Sequence, residues 1–355
     1  MNMVYGSRLG GREVFRVLAA SAVTLFVAVI CAVSCIFEPE EPLRPTPPKI
    51  PHPLWVFYDN FWYEYDQSGE KVYWKWRSSN VHGPRINAST GDIWTQDLFR
   101  SFSIYDPAGE FRRSVSFSGY TYGPVFDTKE EIVWIYQYRD VEESFLRVLN
   151  YKGELLATKE ITELLYAISV YEAEGELWGI TRSGFCKFTK SGDLVFSKTA
   201  SEIGYEYAIK KLFVDQTDGG VWFTGEAAPY FVKVDRSGKR IQTIDVRGRI
   251  LDVGRRTGYV LADVEVEPDV WYLGLFDNSA SLLWRRGRSE TGYWRGLIAD
   301  FDGSCWYVQT QTGETDKVVL GKFNEAGEHI VKDVVVGDSG HGYSFAMWND
   351  PYPYR

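Results

Sequence analysis

The stretch Gly220-Val-Trp-Phe-Thr224, followed by Tyr230-Phe-Val-Lys-Val-Asp-Arg-Ser-Gly238, is one copy of a pattern that returns about every forty residues. Each copy has an apolar run that usually carries Trp, then a second apolar run, then a four-residue turn that ends in Gly in all copies but one. Alternating β-branched and aromatic residues in these runs predict strands. The turns are Asp66-Gln-Ser-Gly69, Asp106-Pro-Ala-Gly109, Asn150-Tyr-Lys-Gly153, Thr189-Lys-Ser-Gly192, Asp235-Arg-Ser-Gly238, Asp277-Asn-Ser-Ala280 and Asn324-Glu-Ala-Gly327.

The ends of the repeated region indicate how the strands close on each other. Residues 54–58, 61–65 and 71–76 supply only three strands, and Tyr343-Ser-Phe-Ala-Met-Trp348 is a strand-like segment without neighbours in sequence. Docking this last segment onto the first three would complete a seventh sheet and leave no exposed edge. The sequence therefore predicts an all-β fold, a seven-bladed β-propeller closed by its N- and C-terminal strands. A six-bladed propeller is the alternative if residues 54–76 form a cap.

An N-terminal leader predicts export. Residues 17–33 form an apolar run behind Arg8, Arg12 and Arg16, as in a secretory signal. The following Ala32-Val-Ser-Cys35 resembles a bacterial lipobox, which predicts lipidation of Cys35. An uncleaved membrane anchor and ordinary secretion are the alternatives, because the run just reaches spanning length. All three place the body outside the cytoplasm. If Cys35 is lipidated, we expect a membrane-anchored protein of the cell envelope, in the outer membrane or at the cell surface.

The predicted domain organisation has four parts. Residues 1–34 are a signal peptide or membrane anchor, 35–53 a linker, 54–350 the propeller and 351–355 a C-terminal tail. Seven prolines in the linker predict an extended stalk.

Charge and cysteine content restrict the function classes. The formal net charge is −9 at pH 7 without a basic stripe, which argues against a nucleic-acid partner. The two body cysteines, Cys186 and Cys305, lie three repeats apart, so we expect two small buried side chains and no disulfide. No nucleophile elbow, phosphate-binding loop or metal-spaced His pair is found, so no cofactor, metal or catalytic residue is predicted.

The stretch Asp215-Gln-Thr-Asp-Gly-Gly-Val-Trp-Phe-Thr224, with Lys233-Val-Asp-Arg-Ser-Gly238, resembles the repeat of streptogramin-lyase-like and NHL-type propellers. Looser copies are Gly91-Asp-Ile-Trp94, Gly175-Glu-Leu-Trp178 and Gly303-Ser-Cys-Trp306. The resemblance implies a propeller over residues 54–348 and is shared by unrelated activities. For a lyase, the resemblance implies an active site of His and Glu side chains with a divalent metal. The four histidines of this chain do not match that site; they are His52, His82, His329 and His341.

The candidate binding surface comes from the connections between one repeat and the next. These connections are rich in Tyr, Tyr122 and Tyr166 included, and in a propeller they surround one mouth of the central channel. Tyr and Trp there can stack on sugars or contact a protein, although packing between blades is the alternative for each ring. The candidate residues are Tyr120, Tyr205, Tyr293, Trp294, Arg295, Tyr343, His82, Arg85 and His341.

We therefore expect a binding or scaffolding module rather than an enzyme, with a protein or carbohydrate partner at the mouth and a membrane contact through the N-terminal anchor. The alternative is a lyase or hydrolase of the propeller type that uses His341 or His82.

Overall fold

The computed structural model describes residues 54–347 except 59–60, 77–81, 98–99, 140–142, 226–227, 288–293, 300–302, 312–316 and 339–342. In this part of the chain, 28 strands and one single-turn 3-10 helix, Ser201–Ile203, are present. The strands form seven four-stranded antiparallel sheets, numbered here as blades 1 to 7.

The first four blades are, in sheet order, blade 1 with β28 (Tyr343–Met347), β1 (Leu54–Tyr58), β2 (Phe61–Tyr65) and β3 (Lys71–Trp76); blade 2 with β4 (His82–Ile86), β5 (Ile93–Asp97), β6 (Ser101–Tyr105) and β7 (Phe111–Ser116); blade 3 with β8 (Tyr120–Asp127), β9 (Ile132–Tyr138), β10 (Ser144–Asn150) and β11 (Leu155–Ile161); and blade 4 with β12 (Ala167–Tyr171), β13 (Glu176–Ile180), β14 (Gly184–Phe188) and β15 (Leu194–Thr199).

The remaining three are blade 5 with β16 (Lys211–Val214), β17 (Val221–Thr224), β18 (Phe231–Val234) and β19 (Arg240–Ile244); blade 6 with β20 (Arg247–Val253), β21 (Val260–Glu267), β22 (Val270–Phe276) and β23 (Leu282–Gly287); and blade 7 with β24 (Trp294–Ala299), β25 (Ser304–Gln311), β26 (Lys317–Phe323) and β27 (His329–Asp338).

Blade 1 closes the ring with strands from both ends of the repeated region. β28 pairs with β1 in an antiparallel register that places Leu54 opposite Met347 and Tyr58 opposite Tyr343. The seven-bladed propeller predicted from the sequence is thus confirmed, and the six-bladed alternative is excluded. Because β28 and β1 are far apart in sequence, their pairing ties the last blade to the first.

The hydrophobic core is divided among the spaces between blades. The described residues form seven buried clusters, and each joins two neighbouring blades. The cluster at the closure packs Leu54 and Val56 of blade 1 against Trp306 and Leu320 of blade 7. Every sheet therefore buries both of its faces, which explains why the residues of middle strands such as β14, β17 and β18 are all buried.

A Trp near the start of the second strand anchors six of the seven blades. These side chains are at most 1% exposed, and each removes roughly 200 Å² from water, worth about 5 kcal/mol before the entropy of ordering is subtracted. Leu261 takes the corresponding place in blade 6. The six residues are Trp55, Trp94, Trp134, Trp178, Trp222 and Trp306.

Buried lysines lie opposite three of these tryptophans on the third strand. Lys187, Lys233 and Lys322 have their Nζ atoms 5.4, 5.8 and 5.2 Å from the ring centroids of their Trp partners. The Lys187 ammonium donates to the carbonyl of Arg236 in the turn of blade 5, and that of Lys322 donates to Gln67 in the turn of blade 1. These two contacts link a blade to the turn of the next one, and the second spans the ring closure.

The repeated turns connect the third and fourth strands of each blade, and their final Gly has two functions. It adopts a positive φ, for example +74° at Gly327, which a side chain disfavours. It also lies against the preceding blade, since a Cβ at Gly327 would approach Trp284 Cγ of blade 6 to 2.6 Å. At Ala280 the same turn is formed with a φ of 66° by a residue that has a Cβ. We expect this to cost of order 1 kcal/mol.

Replacing Gly327 by Ala is predicted to lower the free energy of unfolding by about 2 to 4 kcal/mol, because backbone strain adds to a clash with Trp284. Gly303→Ala is the matched control. Its φ is 68°, and a Cβ there would meet only the Glu325 side chain, 3.5 Å away. The control should lose only about 1 kcal/mol. Urea denaturation measures both, and equal losses would contradict the contact between blades.

Candidate functional site

The inner strand of each blade is the first one, and these strands enclose a central cavity of about 640 Å³. Its described lining comes from β4, β8, β12, β16 and β20, from residues next to these strands in sequence, and from Gln96 of β5. The connections from an outer strand to the next inner strand therefore surround one end of the cavity, as the sequence predicted. We call this end the upper mouth and the opposite end the lower mouth.

Tyrosines line the cavity near the upper mouth. Tyr122 of β8 and Tyr166, which precedes β12, both border it, and Tyr166 is 45% exposed. Tyr122 belongs to a ladder on blade 3, stacked 6.2 Å from Tyr136 and 6.0 Å from Tyr138, and Tyr120 stacks 5.3 Å from Tyr138. Burial raises the pKa values of Tyr136 and Tyr138, so these hydroxyls stay protonated.

Arg85 of β4 lines the cavity and is exposed there. It pairs in register with Trp94 of β5. Desolvation by the surrounding protein lowers the pKa of Arg85, and the charge of Asp252, which also lines the cavity, opposes this shift. An arginine keeps its charge through such a shift. The cavity therefore contains a fixed positive charge.

A polar network occupies the lower mouth, with Glu172 at its centre. Glu172 accepts a hydrogen bond from Thr128 of blade 3 and forms an ion pair with Arg255 of blade 6. Its own N–H donates to Gln216 Oε1 of blade 5 at 3.0 Å, and Gln216 Nε2 donates to the Val170 carbonyl at 2.6 Å. Glu172 thus connects four blades, three of them through its carboxylate and the fourth through its backbone N–H. A network satisfied in this way rigidifies its surroundings, and truncating one member leaves its partners unpaired.

Acidic residues at the ends of inner strands have structural partners. Asp127 Oδ1 accepts hydrogen bonds from the backbone N–H groups of Lys129 and Glu130, and Asp215 Oδ1 accepts one from Thr217. These are Asx-type turns onto the following strand. Burial, with a contribution from the nearby Glu172, raises the pKa of Asp127 to about 6.

The predicted site residues lie in different surroundings. Arg85 lines the cavity, and Tyr120 is 42% exposed at the start of β8, on the upper side. The prediction for Tyr205 requires a correction, because its ring is 1% exposed in the cluster between blades 4 and 5. Its hydroxyl accepts a hydrogen bond from the Gly225 N–H at 2.7 Å, so the polar tip that suggested ligand contact serves the fold.

The other predicted residues lie partly or wholly outside the described residues. The structure gives the backbone of His82, Trp294, Arg295 and Tyr343 within strands, but their side chains are outside the description. Tyr293, His341 and Cys35 are outside it entirely. Sequence reasoning missed Gln96, Glu172 and Arg255, which also line the cavity. These residues belong to blades 2, 4 and 6, and only the closed ring places them around one cavity.

Both cysteines of the propeller, Cys186 and Cys305, are buried, as predicted, and burial raises the pKa of the Cys186 thiol. The described residues contain no group of three His, Cys, Asp or Glu side chains placed to bind a metal ion. They also contain no helix with the length and apolar character needed to cross a membrane. Residues 17–33 are outside the description.

Comparisons with known proteins agree with the fold. No protein-family model matches the chain, and no curated protein matches its sequence. Among solved structures, dihydro-heme d1 dehydrogenase NirN in complex with DHE is similar, with a TM-score of 0.61 and 13% identity over 87% of this chain and 77% of that one. A protein of unknown function from Bacteroides caccae has a TM-score of 0.47 and 12% identity over 67% of this chain and 94% of that one. At such identity, the likeness to NirN supports the propeller fold alone.

Removing the centre of the lower network should destabilise the propeller strongly. Glu172→Ala leaves Arg255 and Thr128 without their partner, and we expect a loss of about 3 to 5 kcal/mol in the free energy of unfolding. Glu174→Ala is the control two residues away, where a carboxylate 52% exposed pairs with Arg236 and should contribute less than about 1 kcal/mol. Chemical denaturation measures the free energy of unfolding of both variants. Similar losses in the two would rule out the proposed role of Glu172.

Proposed function

We propose that this protein is an exported, lipid-anchored binding module whose propeller takes up a glycan ligand at the upper mouth. The propeller fold is typical of binding and scaffolding proteins, although it does not identify the ligand. The observation that carries the proposal is the cavity of about 640 Å³ with Tyr122 and Tyr166 at its upper end and polar side chains beneath. Aromatic rings above hydrogen-bonding groups form a wall suited to sugar rings.

The size of the cavity favours a glycan over a protein partner. Its volume is within the range of roughly 300 to 1,000 Å³ that accommodates small ligands. A stable protein partner instead needs roughly 800 Å² of surface on each side, with a mainly apolar centre. The cavity wall instead includes Gln96, Ser169 and Gln216 among its polar residues. Sugar hydroxyls can exchange hydrogen bonds with such amides and hydroxyls.

The export and anchoring part of the proposal is supported by the leader. The apolar run at residues 17–33, Cys35 after small residues and the Pro-rich linker match a tethered envelope protein. A binding module tethered in this way would hold its ligand at the cell envelope.

Tyr166→Ala should weaken glycan binding by about tenfold or more, because it removes the most exposed ring that borders the cavity. Isothermal titration of the purified full-length protein in detergent against a panel of oligosaccharides measures the change. Tyr207→Ala is the control, since Tyr207 is 41% exposed and does not line the cavity. Unchanged affinity in Tyr166→Ala, at an unchanged melting temperature, would be evidence against the upper mouth. A panel member that is consumed rather than bound would favour the enzyme alternative.

Cys35→Ala is predicted to abolish incorporation of radioactive palmitate and to release the protein from the membrane fraction. Labelling and fractionation of cells that express each form test this. Absence of label in the wild-type protein would exclude lipidation, and retention of unlabelled protein in the membrane would instead favour an uncleaved anchor.

A further inference from the structure

We propose that the ligand is an acidic saccharide and that Arg85 binds its carboxylate in the middle of the channel. This inference rests on the proposed function, because it assigns the ligand class of the same cavity. It depends on the position and partners of one cation.

Arg85 has no anionic partner in the described structure, in contrast to three other cations of the interior. Arg255 pairs with Glu172, Lys187 with Glu176 and Lys233 with Asp215. For Arg85 the described hydrogen bond goes from Nη1 to the neighbouring Pro84 carbonyl at 3.3 Å, and none of the described ion pairs includes it. Its guanidinium therefore retains donors that face the cavity.

The surroundings make this charge an effective anion site. The cavity wall around Arg85 replaces part of the water that would solvate a guanidinium at an open surface, and the side chain stays exposed within the cavity. An ion pair formed where water is scarce is stronger than one at a surface. A guanidinium also presents two parallel N–H donors that match the two oxygens of a carboxylate. A ligand carboxylate would thus form the close ion pair that Arg85 lacks in the described structure, where Asp252 acts on it across the channel.

Asp252 restricts which anions fit. It lies on β20 at the same level as Arg85 on β4. Asp252 is paired with Leu261 and Arg85 with Trp94, and these two partners hold the same position in the second strands of their blades. The charge of Asp252 acts on Arg85 across the channel. A ligand with several negative charges would be repelled by Asp252. The cavity therefore favours a ligand with a single acidic group.

The cavity above Arg85 suits a sugar attached to that acidic group. Arg85 is three residues below the start of β4, about 10 Å from the upper end of the strand. Tyr122 and Tyr166 border the cavity over this distance, and Gln96 is part of the same wall. A carboxylate at Arg85 would thus leave the sugar rings beside the two aromatic side chains. The geometry points to a uronic-acid type of saccharide that enters from the upper mouth.

The test compares three trisaccharide probes on the full-length protein in detergent: a galactose trimer that ends in a single galacturonic acid, the neutral trimer of galactose, and a galactose trimer that ends in galactose 6-phosphate. The proposal predicts that the wild type binds the acidic trimer about tenfold or more tightly than the neutral one. Arg85→Gln should remove this preference, because the acidic trimer loses its ion pair and the neutral trimer has no charge to lose. Arg85→Lys should restore part of it, since Lys keeps the charge without the fork.

Arg112→Gln is the matched control, because it removes one positive charge from the exposed strand β7, where Arg112 pairs with Asp92. It should leave the preference intact. Melting temperatures of all variants separate a loss of binding from a loss of folding.

Each further outcome decides the proposal. An unchanged preference for the acidic trimer in Arg85→Gln would overturn the role of Arg85, while weaker binding of both trimers in Tyr166→Ala would still support the proposed function. Equal wild-type affinity for acidic and neutral trimers, or no binding of any probe, would overturn the acidic-saccharide assignment. Tighter binding of the phosphate than of the acidic trimer would show that the site prefers another anion.

Discussion

Face-to-face packing of neighbouring blades is the interaction on which the rest of the structure depends. Each four-stranded sheet is too small to form a core alone, and each buries both faces only when it has a neighbour on either side. A row of such sheets would leave two faces bare, so the row must close. The pairing of β28 with β1 closes it, and the cluster that contains Leu54 and Trp306 fills the space at the junction.

The channel is a geometric consequence of this packing. Seven sheets arranged around an axis keep their inner strands apart, and the side chains of those strands must face either each other or solvent. The upper end carries Tyr122 and Tyr166, while the lower end carries the network around Glu172. The two ends therefore differ in chemistry: the lower one stabilises the ring, and the upper one is available to a ligand.

Much of the fold could be predicted from the sequence because its signals are local. The Trp-bearing strands, the turn glycines and the unpaired terminal strand all follow from short patterns with a direct physical cause. The strands predicted at residues 54–58, 61–65 and 71–76 are found at those positions. The second function of Gly327, contact with Trp284, was hidden because the partner lies in another repeat.

The candidate site was predictable only in part. Arg85 lines the cavity and Tyr120 is exposed, and their role in binding stays a prediction. Tyr205 is a core residue, since sequence position alone cannot distinguish a ring that faces solvent from one that faces the next blade. Glu172 and Arg255 carry no motif, and 83 residues separate them along the chain. The sequence by itself determined the repeat, the number of blades and the mode of closure, because these depend on local strand and turn chemistry. Only the tertiary structure decided which charges meet in the channel and that Arg85 faces it without an anionic partner in the described structure, because those facts depend on the curvature of the ring.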